Sequence, residues 1–251
     1  MLIDSHCHIL KSEYDDVEKI KEDLFKSNQI AIINNAYSIE SIRELVNLKL
    51  HPNEYIAIGI GPDEVINYNE KIKEEIESYL NSKKVVAIGE IGLDYYWTKD
   101  TKLIQIKMFR DMLGLAEKYN LPVIIHSRES IQDTYDIVSE YKVQGIMHCF
   151  SGSTEMAKKF IDLGFLIGIG GVVTFKNAVK LVEVVKSIDI NNISLETDSP
   201  YLSPEPYRGK KNVPQNIIEI AKKIANIKGI SIDEVIGVTT RNVTRMFDLN
   251  I

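Results

Sequence analysis

Two periodicities alternate along this chain from end to end, and that alternation constrains its fold more than any other feature. Short, apolar, β-rich runs fall at about 2–8 (LIDSHCH), 30–36, 55–60, 84–90, 122–126, 145–149, 165–170 and 193–198. Longer stretches with helical spacing separate them, at 15–28, 38–50, 64–82, 100–119, 129–141, 154–163 and 175–188. Two more, 213–228 and 231–247, follow the last run. Strand–helix–strand units pair their strands in parallel through right-handed crossovers. Eight such units in 251 residues predict an α/β fold, a single-domain (β/α)8 TIM-type barrel over 1–251. A doubly wound open sheet is the alternative. It usually has fewer strands, and the first strand–helix turn here lacks the G-x-G-x-x-G fingerprint.

In such a barrel the chemistry sits at the C-terminal ends of the strands. His6 and His8 close the first run, Glu90 the fourth, His126 the fifth, His148 the sixth and Asp198 the eighth; of the five histidines only His51 lies elsewhere. Strand parity places His6 and His8 on one side and Cys7 on the other, where it packs as a small apolar residue. The same parity turns Glu196 inward beneath Asp198. A buried carboxylate there needs a proton donor, and the N–H of a metal-bound histidine supplies one.

Four histidines and two carboxylates at one barrel mouth read as a metal site. A tetrahedral zinc takes at most four ligands, so six point to two divalent ions bridged by a carboxylate. The expected arrangement puts His6, His8 and Asp198 on one ion and His126 and His148 on the other, with Glu90 as the bridge. Imidazole suits zinc, iron or nickel and carboxylate suits magnesium or manganese, so Mg, Mn, Zn and Ni all remain open. Two ions about 3.5–4 Å apart can share a hydroxide and clamp a phosphoryl group. Asp198 is then the expected proton acceptor, ionised because the cations hold its pKa low.

Composition limits the setting. No window approaches 18 uninterrupted apolar residues, so no membrane span is expected. The start MLIDSH lacks a basic region before an apolar run, and two cysteines make no disulfide framework; a cytoplasmic protein is the expectation. The net charge of −6 argues against a scaffold that holds nucleic acid by phosphate neutralisation alone. An anionic substrate would be held by a local patch or by metal.

Five ordered segments carry a family resemblance: DSHCH, AIGEIGLDYY (87–96), PVIIHSRES (122–130), HCFSGS (148–153) and LETDSPYLSPEPYRGKKNVP (195–214). They resemble the signatures of the TatD family of metal-dependent deoxyribonucleases, within the amidohydrolase-like superfamily. The closing SIDEVIGVTTRNVTRMF resembles that family's last helix. The resemblance implies a TIM-type barrel, about two divalent cations held by the same six residues, and nuclease activity on DNA. It also implies phosphate contacts from Arg128 and Arg208. One departure stands out: Gly61 occupies the place of a histidine in the family's Gly-x-His-Pro segment.

Other residues near the strand ends fit this chemistry. Arginine grips phosphate bidentately, and Arg128 and Arg208 (with Lys210 and Lys211) lie in strand-end loops. Ser151 and Gly152 offer N–H groups to an anion, while Ser153 is placed to cap the following helix. Tyr95, Tyr96 and Trp97 are candidates to stack on bases. The GIGG run at 168–171 reads as room for close backbone approach. The expected substrate is DNA, single-stranded or at a terminus, cut by an exonuclease-type monomer. An ester or amide hydrolase such as an aminoacyl-tRNA deacylase is the alternative, and a non-catalytic metal-stabilised binding protein a second.

Overall fold

The computed structural model describes residues 1–27, 29–97 and 99–250. Its strands are β1 (Leu2–Cys7), β2 (Ile30–Asn35), β3 (Glu54–Ile58), β4 (Val85–Asp94), β5 (Val123–Arg128), β6 (Gly145–Met147), β7 (Phe165–Ile169) and β8 (Ile193–Leu195). All pair in parallel, in the order β1-β2-β3-β4-β5-β6-β7-β8. The helices are α1 (Val17–Phe25), α2 (Ile39–Asn47), α3 (Glu70–Tyr79), α4 (Lys102–Tyr119), α5 (Ile131–Val138), α6 (Thr154–Asp162), α7 (Val179–Ser187), α8 (Ile217–Lys228) and α9 (Ile232–Phe247). The barrel expected from the alternating runs is the fold observed. No helix of the described residues is long and apolar enough to cross a membrane.

Local chemistry sets the helix starts. Ser38 and Ser41 form a reciprocal capping box on α2, and Ser153 accepts from the Met156 N–H at the start of α6, the capping role read from the sequence. α8 stops at Gly229, whose φ of 68° is the left-handed conformation that glycine adopts freely.

Two apolar layers hold the barrel. Outside it, the strands pack on the helices through a large cluster that includes Phe109, Met112, Phe160 and Ile224. Inside, at the N-terminal ends of the strands, Ile3, Ala31, Ile33, Ala57, Ala87, Ile124, Ile146 and Leu166 form a second cluster with Val243, Phe247 and Leu249. The end of α9 and the residues after it thus plug the base of the barrel.

The seam between β8 and β1 closes differently from the other strand pairs. An isolated bridge joins Cys7 to Ser199, with the His8 N–H donating to Ser199 O (2.7 Å) and the Asp198 N–H to His6 O (2.9 Å). Beneath these bonds, buried Asp4 accepts from the Thr197 N–H (2.8 Å) and hydroxyl (2.5 Å). Burial pushes the Asp4 carboxyl up to about 8, against those two donors. This side-chain clamp fixes β8's exit against β1 and so sets Asp198 beside His6 and His8.

One boundary differs from the sequence reading in a way that matters. Glu90 does not end β4: the strand runs on four residues to Asp94. Pairing with β5 shifts between Ile88 and Ile91, from Val123 to Ile125, so β4 carries one extra residue there. A second shift falls between Asp4 and Cys7 of β1. Bulges of this kind re-aim side chains beside functional sites, and both lie where β1 and β4 carry the candidate ligands. Gly92 permits the close β4–β5 approach beyond the bulge, because an added Cβ would stand 2.0 Å from His126 O.

Candidate metal centre

All six predicted ligand residues converge at the C-terminal mouth. His6 and His8 face one another, Nε2 to Nε2, at 3.0 Å. The Glu90 carboxylate spans the site: Oε2 lies 3.4 Å from His6 Nε2 and 3.5 Å from His8 Nε2, while Oε1 lies 3.0 Å from His126 Nδ1. Asp198 Oδ1 stands 3.7 Å from His6 Nε2, 3.6 Å from His8 Nε2 and 3.7 Å from His148 Nε2. The groups His6–His8–Glu90, His6–His148–Asp198 and Glu90–His126–His148 each gather their donor atoms within 4.8 Å.

Most of the candidate ligand histidines are held from behind. The Nδ1 of His8 is 2.9 Å from the carbonyl of Asn35, which fixes its proton there and leaves Nε2 free to ligate. Glu196 stands 3.1 Å from His148 Nδ1, at the inward position expected for it. That contact is off the hydrogen-bond line, so it is an ion contact; Glu196 also accepts from the Cys149 N–H at 2.6 Å. Gly168 makes room for Glu196, since a Cβ there would meet its Oε2 at 2.5 Å. Close approach is therefore what the GIGG run supplies.

Asp94 is the partner that sequence reading missed. Its Oδ2 lies 3.2 Å from His126 Nε2, the nitrogen facing away from Glu90. With β4 ended at Glu90, Asp94 falls in a loop; with the strand extended, parity places residues 90, 92 and 94 on one face.

Electrostatics follow from this packing. Burial drives His6 down to about 4. Burial also opposes charge on His126, but Asp94 and Glu90 outweigh it and hold His126 up to about 9. Burial likewise opposes charge on His148, and Glu196 raises it to about 10. Burial pushes the Glu90 and Asp198 carboxyls upward, yet the surrounding imidazoles hold Glu90 well below the usual range and Asp198 below its ordinary value. Imidazole nitrogens and carboxylate oxygens thus face a shared interior where positive charge is favoured. That donor set fits divalent cations, which would replace the protons that His126 and His148 otherwise hold.

A cavity of about 550 Å³ opens above these residues. Arg128 and Ser151 line it, as do Trp97, Asp63 and Gly61, the residue at the family's histidine position. Arg208 is not among its lining residues; the guanidinium sits 3.6 Å above the Phe175 ring. Lys211 donates to the Glu13 carbonyl at 2.6 Å. Of the three aromatics, Tyr95 is buried with its hydroxyl on Asp133, while Tyr96 and Trp97 are exposed. Cys7 packs away from the site among Ile9, Val17 and Ile32, as parity predicts.

Eight parallel strands with a histidine–carboxylate cluster at the C-terminal mouth define a metal-dependent hydrolase barrel. The family model "TatD related DNase" matches residues 3–248, and the chain belongs to that family. It is 39% identical to the uncharacterized metal-dependent hydrolase YabD of Bacillus subtilis, over 100% of both chains. It is 35% identical to the uncharacterized metal-dependent hydrolase YcfH of Escherichia coli K12, over 99% of this chain and 96% of the relative. Among solved structures, the TatD homolog YJJV of Escherichia coli K12 superposes with a TM-score of 0.92 at 26% identity, covering 99% of this chain and 98% of that one.

Proposed function

We propose that this metal-dependent hydrolase is a deoxyribonuclease that cuts DNA phosphodiesters at a terminus or in a single strand, using two divalent cations. The observation that carries the reading is Arg128, a fixed cation lining the same cavity as Glu90, His126, His148 and Asp198. A phosphodiester keeps its negative charge through hydrolysis, so its site benefits from a cation beyond the ligand shell, and arginine matches phosphate bidentately. A neutral ester or amide offers such a cation no charge in the ground state and develops an oxyanion only along the reaction.

In this reading His6, His8 and Asp198 would hold one cation and His126 and His148 the other. Glu90 would contribute to both, because one of its oxygens faces His6 and His8 and the other faces His126. When bound, the cations would lower the pKa of water towards neutrality and offset charge on the phosphate oxygens. Asp198 begins ionised and takes the proton of the attacking water. Arg128 and Ser151 orient the phosphate, and the confined mouth admits a chain end or a flexible strand more readily than a duplex. Arg208 lies outside the cavity lining, and the reading does not rest on it.

The test incubates the metal-reconstituted protein with end-labelled single-stranded DNA, duplex DNA and aminoacyl-tRNA, with and without EDTA. EDTA-sensitive nucleotide release that vanishes in Asp198→Asn is expected. Intact DNA with deacylated tRNA would overturn the reading in favour of a carbonyl hydrolase, and no turnover of any substrate would leave a binding protein.

A further inference from the structure

The turn after β4 combines an exposed aromatic surface with a buried carboxylate that reaches the metal centre. Trp97 and Tyr96 are 66% and 48% exposed, and their rings meet edge to face at 4.6 Å between centroids. The Arg128 guanidinium lies 4.0 Å from the centre of the Tyr96 ring and 5.3 Å from that of Trp97. Both Trp97 and Arg128 line the central cavity. Trp97 thus presents aromatic surface to solvent beside the polar cleft, as stacking on a base requires.

This corner is fastened from below through Asp94. Its Oδ1 accepts from the backbone N–H groups of Tyr96 (2.8 Å) and Trp97 (3.0 Å), while its Oδ2 faces His126 Nε2 (3.2 Å). Gln105 pins Asp94 in turn, accepting from its N–H at 2.9 Å and donating to its carbonyl at 3.0 Å. The Tyr95 N–H donates to Arg128 O at 2.9 Å, tying the turn to the end of β5. A single buried carboxylate therefore holds the aromatic turn with one oxygen and a candidate metal ligand with the other.

We propose that Trp97 and Tyr96, backed by Arg128, form a stacking seat for a nucleobase of the bound strand, and that Asp94 is the positioning residue that couples this seat to His126. The proposal rests on the DNA reading of the site and adds where a base sits. Stacking needs only a π-face, so the seat is indifferent to base identity. The coupling works in both directions: loading the His126 side orders the turn, and a base on the turn steadies His126.

Trp97 is the only tryptophan of the chain, so tryptophan emission, excited where the 12 tyrosines do not absorb, reports on the seat alone. In the first arm, the zinc-loaded protein meets a cleavage-resistant phosphorothioate oligothymidylate and an abasic oligomer of equal length. The base-bearing strand is expected to quench Trp97 and the abasic one not. By anisotropy of a labelled strand, Trp97→Ala should weaken binding about tenfold, with Trp97→Phe restoring most of it. Binding without quenching and with unchanged affinity of Trp97→Ala would overturn the seat and leave the DNA reading standing. Binding of neither oligomer would overturn both.

In the second arm, zinc chloride is titrated into the metal-free chain, with loading followed independently by a competing chromogenic chelator. Emission of Trp97 should shift as zinc loads. Asp94→Asn keeps a carbonyl for the two backbone N–H groups but turns an amide N–H2 towards His126. It is expected to keep the quenching by oligothymidylate and lose the zinc-dependent shift, whereas Asp94→Ala should lose both. A shift in Asp94→Asn equal to that of the unaltered chain would overturn the coupling.

Discussion

The two ends of the barrel are made by the same eight strands and hold opposite chemistry. At the base, Ile33, Ile124, Ile146 and Leu166 meet Val243 and Phe247 of α9, and apolar burial closes the structure together with neutral hydrogen bonds from Asn242 to the Ile190 and Ile193 carbonyls. At the mouth, His6, His8, Glu90 and His148 are buried polar groups that are stable only in each other's company or around cations. The base therefore carries stability and leaves the mouth free to hold charge at close quarters. The two ends should also fail differently when altered.

The largest effect is expected at the mouth. Asp198→Asn removes the proposed proton acceptor and a candidate ligand, and the proposed DNA cleavage should fall by about 10³-fold or more. Circular dichroism and the melting temperature of the metal-loaded protein should change little; a collapse of the fold would blur the separation of the two ends. At the base, Phe247→Ala opens a cavity under the barrel and should cost roughly 3–5 kcal/mol of stability by denaturant titration. Cleavage per folded molecule should be unchanged, and a selective loss of turnover there would break the comparison.

Smaller effects sharpen it. Glu196→Gln removes the charge behind His148, and metal affinity should drop roughly 10–100-fold in a chelator competition, with stability of the loaded protein nearly kept. The pH dependence of metal binding has a definite sign. His126 and His148 are held up to about 9 and 10, so in neutral solution without metal both carry protons that a cation must displace. Apparent affinity should rise with pH, with proton release seen by calorimetry in buffers of different ionisation enthalpy; flat affinity over about pH 6–8 would contradict the charge balance described for the mouth. Least of all, Ile146→Val at the base should cost about 1 kcal/mol and leave metal binding untouched.

Much of this was legible in the sequence because period and position are local properties. Alternating runs named the barrel, and residues at run ends named His6, His8, Glu90, His126, His148 and Asp198. Parity placed Glu196 inward and Cys7 outward. What escaped depended on strand pairing: the bulge that carries β4 past Glu90 to Asp94 is set by its register with β5, which no single segment encodes. Arg208 shows the same limit, since its loop position is readable but its seat on Phe175 is not.

The sequence by itself determined the fold class and named the candidate ligands, because hydrophobic period and donor type are written residue by residue. Only the tertiary structure decided which oxygen of Glu90 faces which histidines, that Asp94 stands behind His126, and that α9 plugs the base. Those facts follow from contacts between residues far apart in the chain, where register, bulges and close glycine approaches set the distances.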